Sequence, residues 1–235
     1  MQGFTRRSVV HFEDPLTLLP RALTWLYSRW VSMTFPFPTR GTGLSIHYTC
    51  ELHRRTAHRI KLGSSVVIAK DVWLSVDAPL EGGCGPAIVI DDGCRIGRRC
   101  TLSAKNSIHL ERDVLIGPSV LIMDHNHAYD DLTLPIKKQG VTEGGRIRIG
   151  QGCWIGHGAA IVCSRGDLVL GRNCVVGANA VVVKSFPAYS VISGNPARIV
   201  KQFSPAKGTW VLASGSSMAS DSAALDAVVS RGSRP

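Results

Sequence analysis

For most of the chain's length, every sixth residue is Ile, Leu or Val. Ile90, Ile96 and Leu102 show the unit, as do Ile149, Ile155 and Ile161, and again Leu170, Val176 and Val182. Gly often follows the aliphatic anchor, and a small residue sits four places on. A six-residue period marks a parallel β-helix, whose stacked coils bury one continuous apolar column. Taken in threes, the anchors predict five coils of a three-sided prism: Leu62, Ile68, Leu74; Ile90, Ile96, Leu102; Leu110, Ile116, Ile122; Ile149, Ile155, Ile161; Leu170, Val176, Val182. The fold class is therefore all-β.

The coils do not follow one another at even spacing. A coil without insertion takes three hexads, yet the first anchors fall at 62, 90, 110, 149 and 170. Each excess follows the third anchor of its coil, so all the extra residues gather at one corner of the triangle. The largest insertion runs from Asp124 to about Arg146. Loops clustered on one edge of a rigid scaffold are where function is expected. The positions four after each third anchor, Ala78, Asn106, Asn126, Arg165 and Phe186, also break the small-residue rule. Polar side chains there are costly if buried without partners, so these positions are expected to face a cleft along that corner.

Outside the repeat, residues 14 to 33 read as a helix. Asp14 suits the cap and Pro15 the first helical position, while Pro20 bends or delays the start. Leu16, Leu19, Leu23, Leu26 and Trp30 form one apolar stripe, flanked by Arg21 and Arg29. Two readings stand: the stripe covers the open end of the prism, or it rests on a membrane surface, giving a peripheral membrane contact through residues 14–33. The expected organisation is a helix and irregular lead-in over 1–61, the β-helix domain over 62–203 and a low-complexity tail over 204–235. Residues 208 to 235, rich in Ser, Ala and Gly, are expected to be mostly disordered, with room for a short helix from Ala223 to Val229.

Composition narrows the partners. Lys and Arg exceed Asp and Glu by a formal +10, which suits nucleic acid, an anionic membrane or a phosphate-bearing small molecule. No basic run interleaves with aromatics as in nucleic-acid binders, so nucleic acid is not expected. Of the seven cysteines, Cys94, Cys100, Cys153 and Cys174 fall at the small-residue position of the hexad and read as packing residues. With no Cys-x-x-Cys pair and no signal peptide, a reducing, cytoplasmic setting is expected. No stretch is apolar enough over sufficient length to span a bilayer.

The large insertion carries the candidate chemistry. It opens on Asp124, His125, Asn126 and His127 and continues through Tyr129, Asp130, Asp131, Lys137 and Lys138. A neutral imidazole is a suitable general base for a hydroxyl attacking an acyl group. Cys163 lies near the same corner, but nothing marks an activated thiolate, and no Gly-x-Ser-x-Gly elbow is present. Direct transfer without an acyl-enzyme is the simpler expectation.

Three runs carry a resemblance: IGPSVLIMDHNH from Ile116, GRIRIGQGCWIGHGAAIV from Gly145, and VVGANAVVVKSFPAYSVISGNPARIVK from Val175. With them the chain closely resembles the hexapeptide-repeat acyltransferases. The nearest groups are the maltose/galactoside O-acetyltransferases and relatives that acetylate bacterial polysaccharides. The resemblance covers about 120 residues, from Ala87 to Phe203. It implies a left-handed β-helix, a homotrimer with active sites between neighbouring prisms, and acetyl-CoA as co-substrate, with no metal. It places the general base at His127, with His125 as a structural or orienting partner. Asn106, Asn126, Asp124 and Tyr129 would meet the acceptor. Lys105 stands where the family usually has a carboxylate, a departure that suits an anionic or atypical sugar. Trp154, His157, Gly158, Ala178, Lys184, Arg198 and Lys201 would line the coenzyme groove.

The resulting expectation is an acetyl-CoA-dependent O-acetyltransferase acting on a sugar hydroxyl of a polysaccharide, glycolipid or oligosaccharide. Three alternatives share some features. One is N-acetylation of an amino-sugar nucleotide, which the same base would serve. Another is a metal hydratase of the γ-carbonic anhydrase type, which needs three His ligands where the sequence offers His-x-His. The last is a non-catalytic scaffold.

Overall fold

The computed structural model describes residues 15–77 and 85–213. Asp14, Ala78 and the segment Ala223–Val229 therefore lie outside the described residues, as does the side chain of Leu16. The molecule is a left-handed parallel β-helix with three sheet faces. The first face stacks Ser45–Ile46, Val67–Ile68, Arg95–Ile96, Leu115–Ile116, Trp154–Ile155 and Val175–Val176. It then continues into Ser190–Gly194. The second face stacks Glu51–Leu52, Trp73–Val76, Thr101–Ala104, Leu121–Met123, Ala160–Val162 and Val181–Val182. The third stacks Ile60–Leu62, Ile88–Ile90, Ser107–Leu110, Gly144–Ile149 and Arg165–Leu170.

Register explains why the hexad is so regular. Ile68 pairs with Ile96, Ile96 with Ile116, Ile116 with Ile155 and Ile155 with Val176, so each anchor lies directly over its counterpart one coil away. Each of these anchors is at most 2% exposed. Burying such a side chain stabilises the fold by roughly 1.5–3 kcal/mol, so the column dominates the energetics. The turns between faces use positive φ, as at Asp113 (59°), Asn173 (53°) and Asn179 (56°), where short polar side chains tolerate the left-handed conformation.

The four hexad cysteines point into the prism, as expected, and are free thiols. Their Sγ–H groups donate to backbone carbonyls: Cys94 to Glu111 at 3.0 Å, Cys100 to Gly117 at 3.0 Å, Cys153 to Gly171 at 3.1 Å and Cys174 to Pro187 at 3.1 Å. Burial pushes the Cys94 thiol up to about 11. The residues fill corners and satisfy carbonyls that face inward.

Two expectations about the ends are corrected. The prism begins before Leu62: Ile46 stacks on Ile68 and Leu52 on Leu74, so part of the lead-in is already coil. That coil is harder to read because Arg40 stands six places before Ile46 and bridges Leu62, and a 3₁₀ helix over Arg54–Arg59 interrupts the hexad. At the other end the segment after Ser204 is ordered as far as Ala213. Strand Ala197–Ser204 folds back antiparallel on Ser190–Gly194, and Thr209–Leu212 pairs with it in turn. Phe203 and Trp210 pack edge to face at 5.7 Å, apolar anchoring that the Ser/Gly-rich composition of the tail hides.

Helix α1, Pro15–Thr34, lies against the open edge of the first face, but not through the expected stripe. Val31 and Ser28 are buried, while Leu19, Leu23, Leu26 and Trp30 face outward. The reason is hydrogen bonding. The edge strand presents the Ile46 N–H and carbonyl, and the Ser28 hydroxyl meets both, at 2.8 and 3.0 Å. A sheet edge needs polar partners, and a purely apolar helix face offers none.

Candidate active site

The insertions gather at the corner between the second and third faces, and Asp124 organises it. Its side chain is wholly buried. One oxygen accepts the Lys105 N–H at 2.7 Å; the other accepts the N–H groups of Asn106 and Ser107 at 2.8 and 2.7 Å. These donors lie at the corner of the preceding coil, where the chain turns from the second face into the third. The first oxygen also accepts from Nδ1 of His125 at 2.9 Å. The other ring nitrogen of His125 stands 3.7 Å from Asp77, two coils down.

The long loop rises from this base as a narrow hairpin. Thr142 N–H donates to the Asn126 carbonyl at 2.7 Å, Ala128 N–H to Gly140 at 3.0 Å, and His127 bridges Val141. Two side chains of the coil below hold its return limb. Lys105 Nζ donates to the Thr142 carbonyl, and Asn106 Nδ2 to Glu143 at 2.9 Å. His127 itself is exposed, as is Tyr129. Asn126 is half-buried between them.

Several expected residues thus converge: Asp124, His125, Asn106, Asn126, His127 and Tyr129 share the corner. Asp124, expected to meet the acceptor, is instead a buried strut, with the His125 ring buried against it. Asn106 spends its amide on the loop backbone. Lys105, read as a feature of the acceptor site, is a strut as well. Of the positions four after the third anchors, Asn106 and Arg165 are exposed as expected, but Phe186 is buried and bridges to Leu170. It closes the core where the coils end. Cys163 is buried, its Sγ–H directed at the Arg165 carbonyl at 3.4 Å. Asp77 and Thr142 were not singled out. A signal for Asp77 existed: Asp77, Lys105 and His125 each stand three residues after the third anchor of their coil.

Most of the groove residues lie elsewhere. Trp154 is exposed on the first face, and His157, Gly158 and Ala178 line the corner between the first and second faces. Lys184 stands at the loop corner with Nζ 5.6 Å from the Phe186 ring centre. Arg198 and Lys201 are exposed on the returning strand at the far end. Gly158 has a structural reason of its own: φ is +67°, and a Cβ there would meet the Asn179 side-chain oxygen at 2.2 Å. Among the described residues, no three His, Cys, Asp or Glu side chains converge as a metal-ligand set.

A left-handed three-faced prism with a histidine-bearing loop braced at one corner defines a hexapeptide-repeat protein. No protein-family model matches the chain. Individual relatives do. A Mycobacterium tuberculosis protein carrying the name of an acetyltransferase is 42% identical over 113 residues, 46% of this chain and 36% of that one. WbbJ of Escherichia coli, named for O-acetyl transfer in lipopolysaccharide biosynthesis, is 30% identical over 145 residues, covering 59% of this chain and 70% of WbbJ. Among solved structures, AntD, an N-acyltransferase from Bacillus cereus in complex with dTDP and 3-hydroxybutyryl-CoA, superposes with a TM-score of 0.60. The overlap covers 87% of this chain and 96% of AntD, at 16% identity, a likeness of fold. The chain belongs to the hexapeptide-repeat acyltransferase family. It spans about a third of the mycobacterial relative's length.

Proposed function

We propose that the protein transfers an acetyl group from acetyl-CoA to a hydroxyl of a sugar in a polysaccharide, glycolipid or oligosaccharide. The observation that carries this reading is the exposed imidazole of His127 on a loop whose base is fixed by Asp124, His125, Lys105 and Asn106. Alone among the two loop histidines, it is open to an acceptor. His127 takes the proton of the acceptor hydroxyl while that oxygen bonds the acyl carbon. As the carbon–sulfur bond breaks, the same proton passes to the leaving thiolate. The name of WbbJ, 70% of whose length is matched, supports an O-linked product.

The groove residues suit acetyl-CoA as substrate. Trp154 offers an exposed ring, Ala178 leaves room for a slender chain, and Lys184, Arg198 and Lys201 offer cations to phosphate groups. On one prism His127 and the Trp154–Ala178 edge stand at different corners. The reading therefore includes a homotrimer in which a neighbour's edge faces the loop.

Turnover of acetyl-CoA, followed by release of free thiol in the presence of candidate cell-surface sugars, tests the activity. An alkali-labile ester product supports the hydroxyl acceptor, and an alkali-stable amide replaces it with the amino-sugar reading. Full activity in a stable monomer, measured by light scattering, overturns the trimeric site.

A further inference from the structure

We infer that the outer face of α1 is a docking surface for an anionic lipid bilayer, lying in the membrane interface and not crossing it. This inference is independent of the proposed reaction. Leu19, Leu23, Leu26, Trp30 and Met33 recur at helical spacing and all are exposed. Leu19 is 67% exposed, Met33 64% and Leu26 56%. Ser28 and Val31 hold the helix to the prism, and within the stripe Trp30 alone also meets the core, its ring edge to face with buried Phe35 at 5.5 Å; the leucines have no part in keeping the fold closed. Five large apolar side chains in a row form a continuous patch, and such patches mark interaction sites.

The charges around the stripe choose the occupant. Helix α1 contains no Asp or Glu. Two grooves, meeting at Trp25, Ser28 and Leu44, run along one flank between the helix and the prism. One, of about 650 Å³, carries Arg21, Lys70 and Arg98 on its walls; the other, of about 470 Å³, carries Arg29 and Arg40. Among the described residues no carboxylate lines either groove. An apolar stripe bordered along one flank by cationic side chains matches acyl chains below a layer of anionic headgroups. Trp25 and Trp30 are both exposed, and indole rings favour that boundary. The stripe itself offers no hydrogen-bonding side chain apart from the Trp30 indole, which fits a fluid apolar medium better than a patterned protein surface. Among the described residues no helix is long and apolar enough to cross a membrane, so the helix would lie in the plane.

Flotation of the full chain with vesicles tests the inference. Vesicles of phosphatidylcholine containing phosphatidylglycerol are compared with phosphatidylcholine alone. A triple variant, Leu19→Gln, Leu23→Gln and Leu26→Gln, is run beside the parent, together with Arg29→Glu. The parent should float with the anionic vesicles and be released by salt. The triple variant should bind about tenfold or more weakly, with an unchanged melting temperature and oligomeric state. Arg29→Glu should weaken binding to anionic vesicles only. A parent that does not float overturns the inference. So does a triple variant that melts earlier or changes oligomeric state, because the stripe would then be covered by a second copy of the chain.

Discussion

The Asp124 carboxylate accepts a hydrogen bond from Nδ1 of His125 at 2.9 Å while holding three backbone N–H groups of the coil below. This pairing fixes the histidine tautomer and ties the loop's first residues to the prism. A carboxylate is needed, because every group facing its two oxygens is a donor. Asp124→Asn must turn an NH₂ group toward either Lys105 N–H and His125 or toward Asn106 and Ser107. The variant should lose about 2–4 kcal/mol of stability, as for a buried charged acceptor left mismatched. Thermal melting read beside turnover checks this; an unchanged melting temperature would remove Asp124 from its organising role.

The two loop histidines should separate cleanly. His127→Ala should lower turnover by about 10²- to 10⁴-fold, the usual contribution of a general base, with coenzyme binding retained. His125→Ala should lower the melting temperature by breaking a buried pair, at about 1–3 kcal/mol, with the smaller effect on turnover. Single-turnover kinetics and coenzyme titration of both variants distinguish the roles. A severe His125 variant and a mild His127 variant would reverse the assignment.

The hexad cysteines should be silent in catalysis. A variant with Cys94, Cys100, Cys153 and Cys174 all changed to Ala should retain turnover and lose only modest stability. Burial holds Cys94 at about 11, so at neutral pH its thiolate is scarce and alkylation should wait for unfolding. Mass spectrometry after iodoacetamide, with and without denaturant, measures this directly. Rapid labelling of Cys94 in the folded protein would contradict it.

On the third face Glu111 accepts from Arg148 Nε at 2.6 Å and from the Gln151 N–H at 2.9 Å. Burial pushes its carboxyl up, but those hydrogen bonds outweigh burial and hold it below the usual carboxylate value. A depressed folded value contributes stability above the unfolded pKa, and that contribution fades as pH falls through the folded one. Glu111→Gln should therefore cost about 1 kcal/mol near neutral pH and nothing in strong acid. Urea melts across that range should show the parent and variant curves converging as the pH drops; parallel curves would refute the linkage.

Much of the fold was legible residue by residue. Ile96, Ile116 and Ile155 announce themselves because each packs against the same position one coil away, so the pattern is repeated locally. The insertion corner follows from the same count, and with it the neighbourhood of His125 and His127. Ile46 and Leu52 were also six apart, but Arg40 and the helix at Arg54–Arg59 broke the run that would have extended the prism to them. The strand Thr209–Leu212 was hidden because a Ser/Gly-rich average masks one Trp–Phe contact.

What the sequence determined by itself is the prism from Leu62 to Val182, its inward cysteines and the corner where the insertions gather. These are periodic, and periodicity needs only nearest-coil packing to be read. The count after the third anchors puts Asp77, Lys105 and His125 at one register, but the tertiary structure alone decided that the Asp124 carboxylate takes both the His125 ring and the Lys105 N–H, since only stacked coils bring those groups within reach. It decided likewise that α1 turns Ser28 inward and its leucines outward. An amphipathic stripe shows that a face exists, but the unpaired N–H and carbonyl of Ile46 select which face the prism receives, because an open strand edge must be hydrogen-bonded before apolar surface is covered.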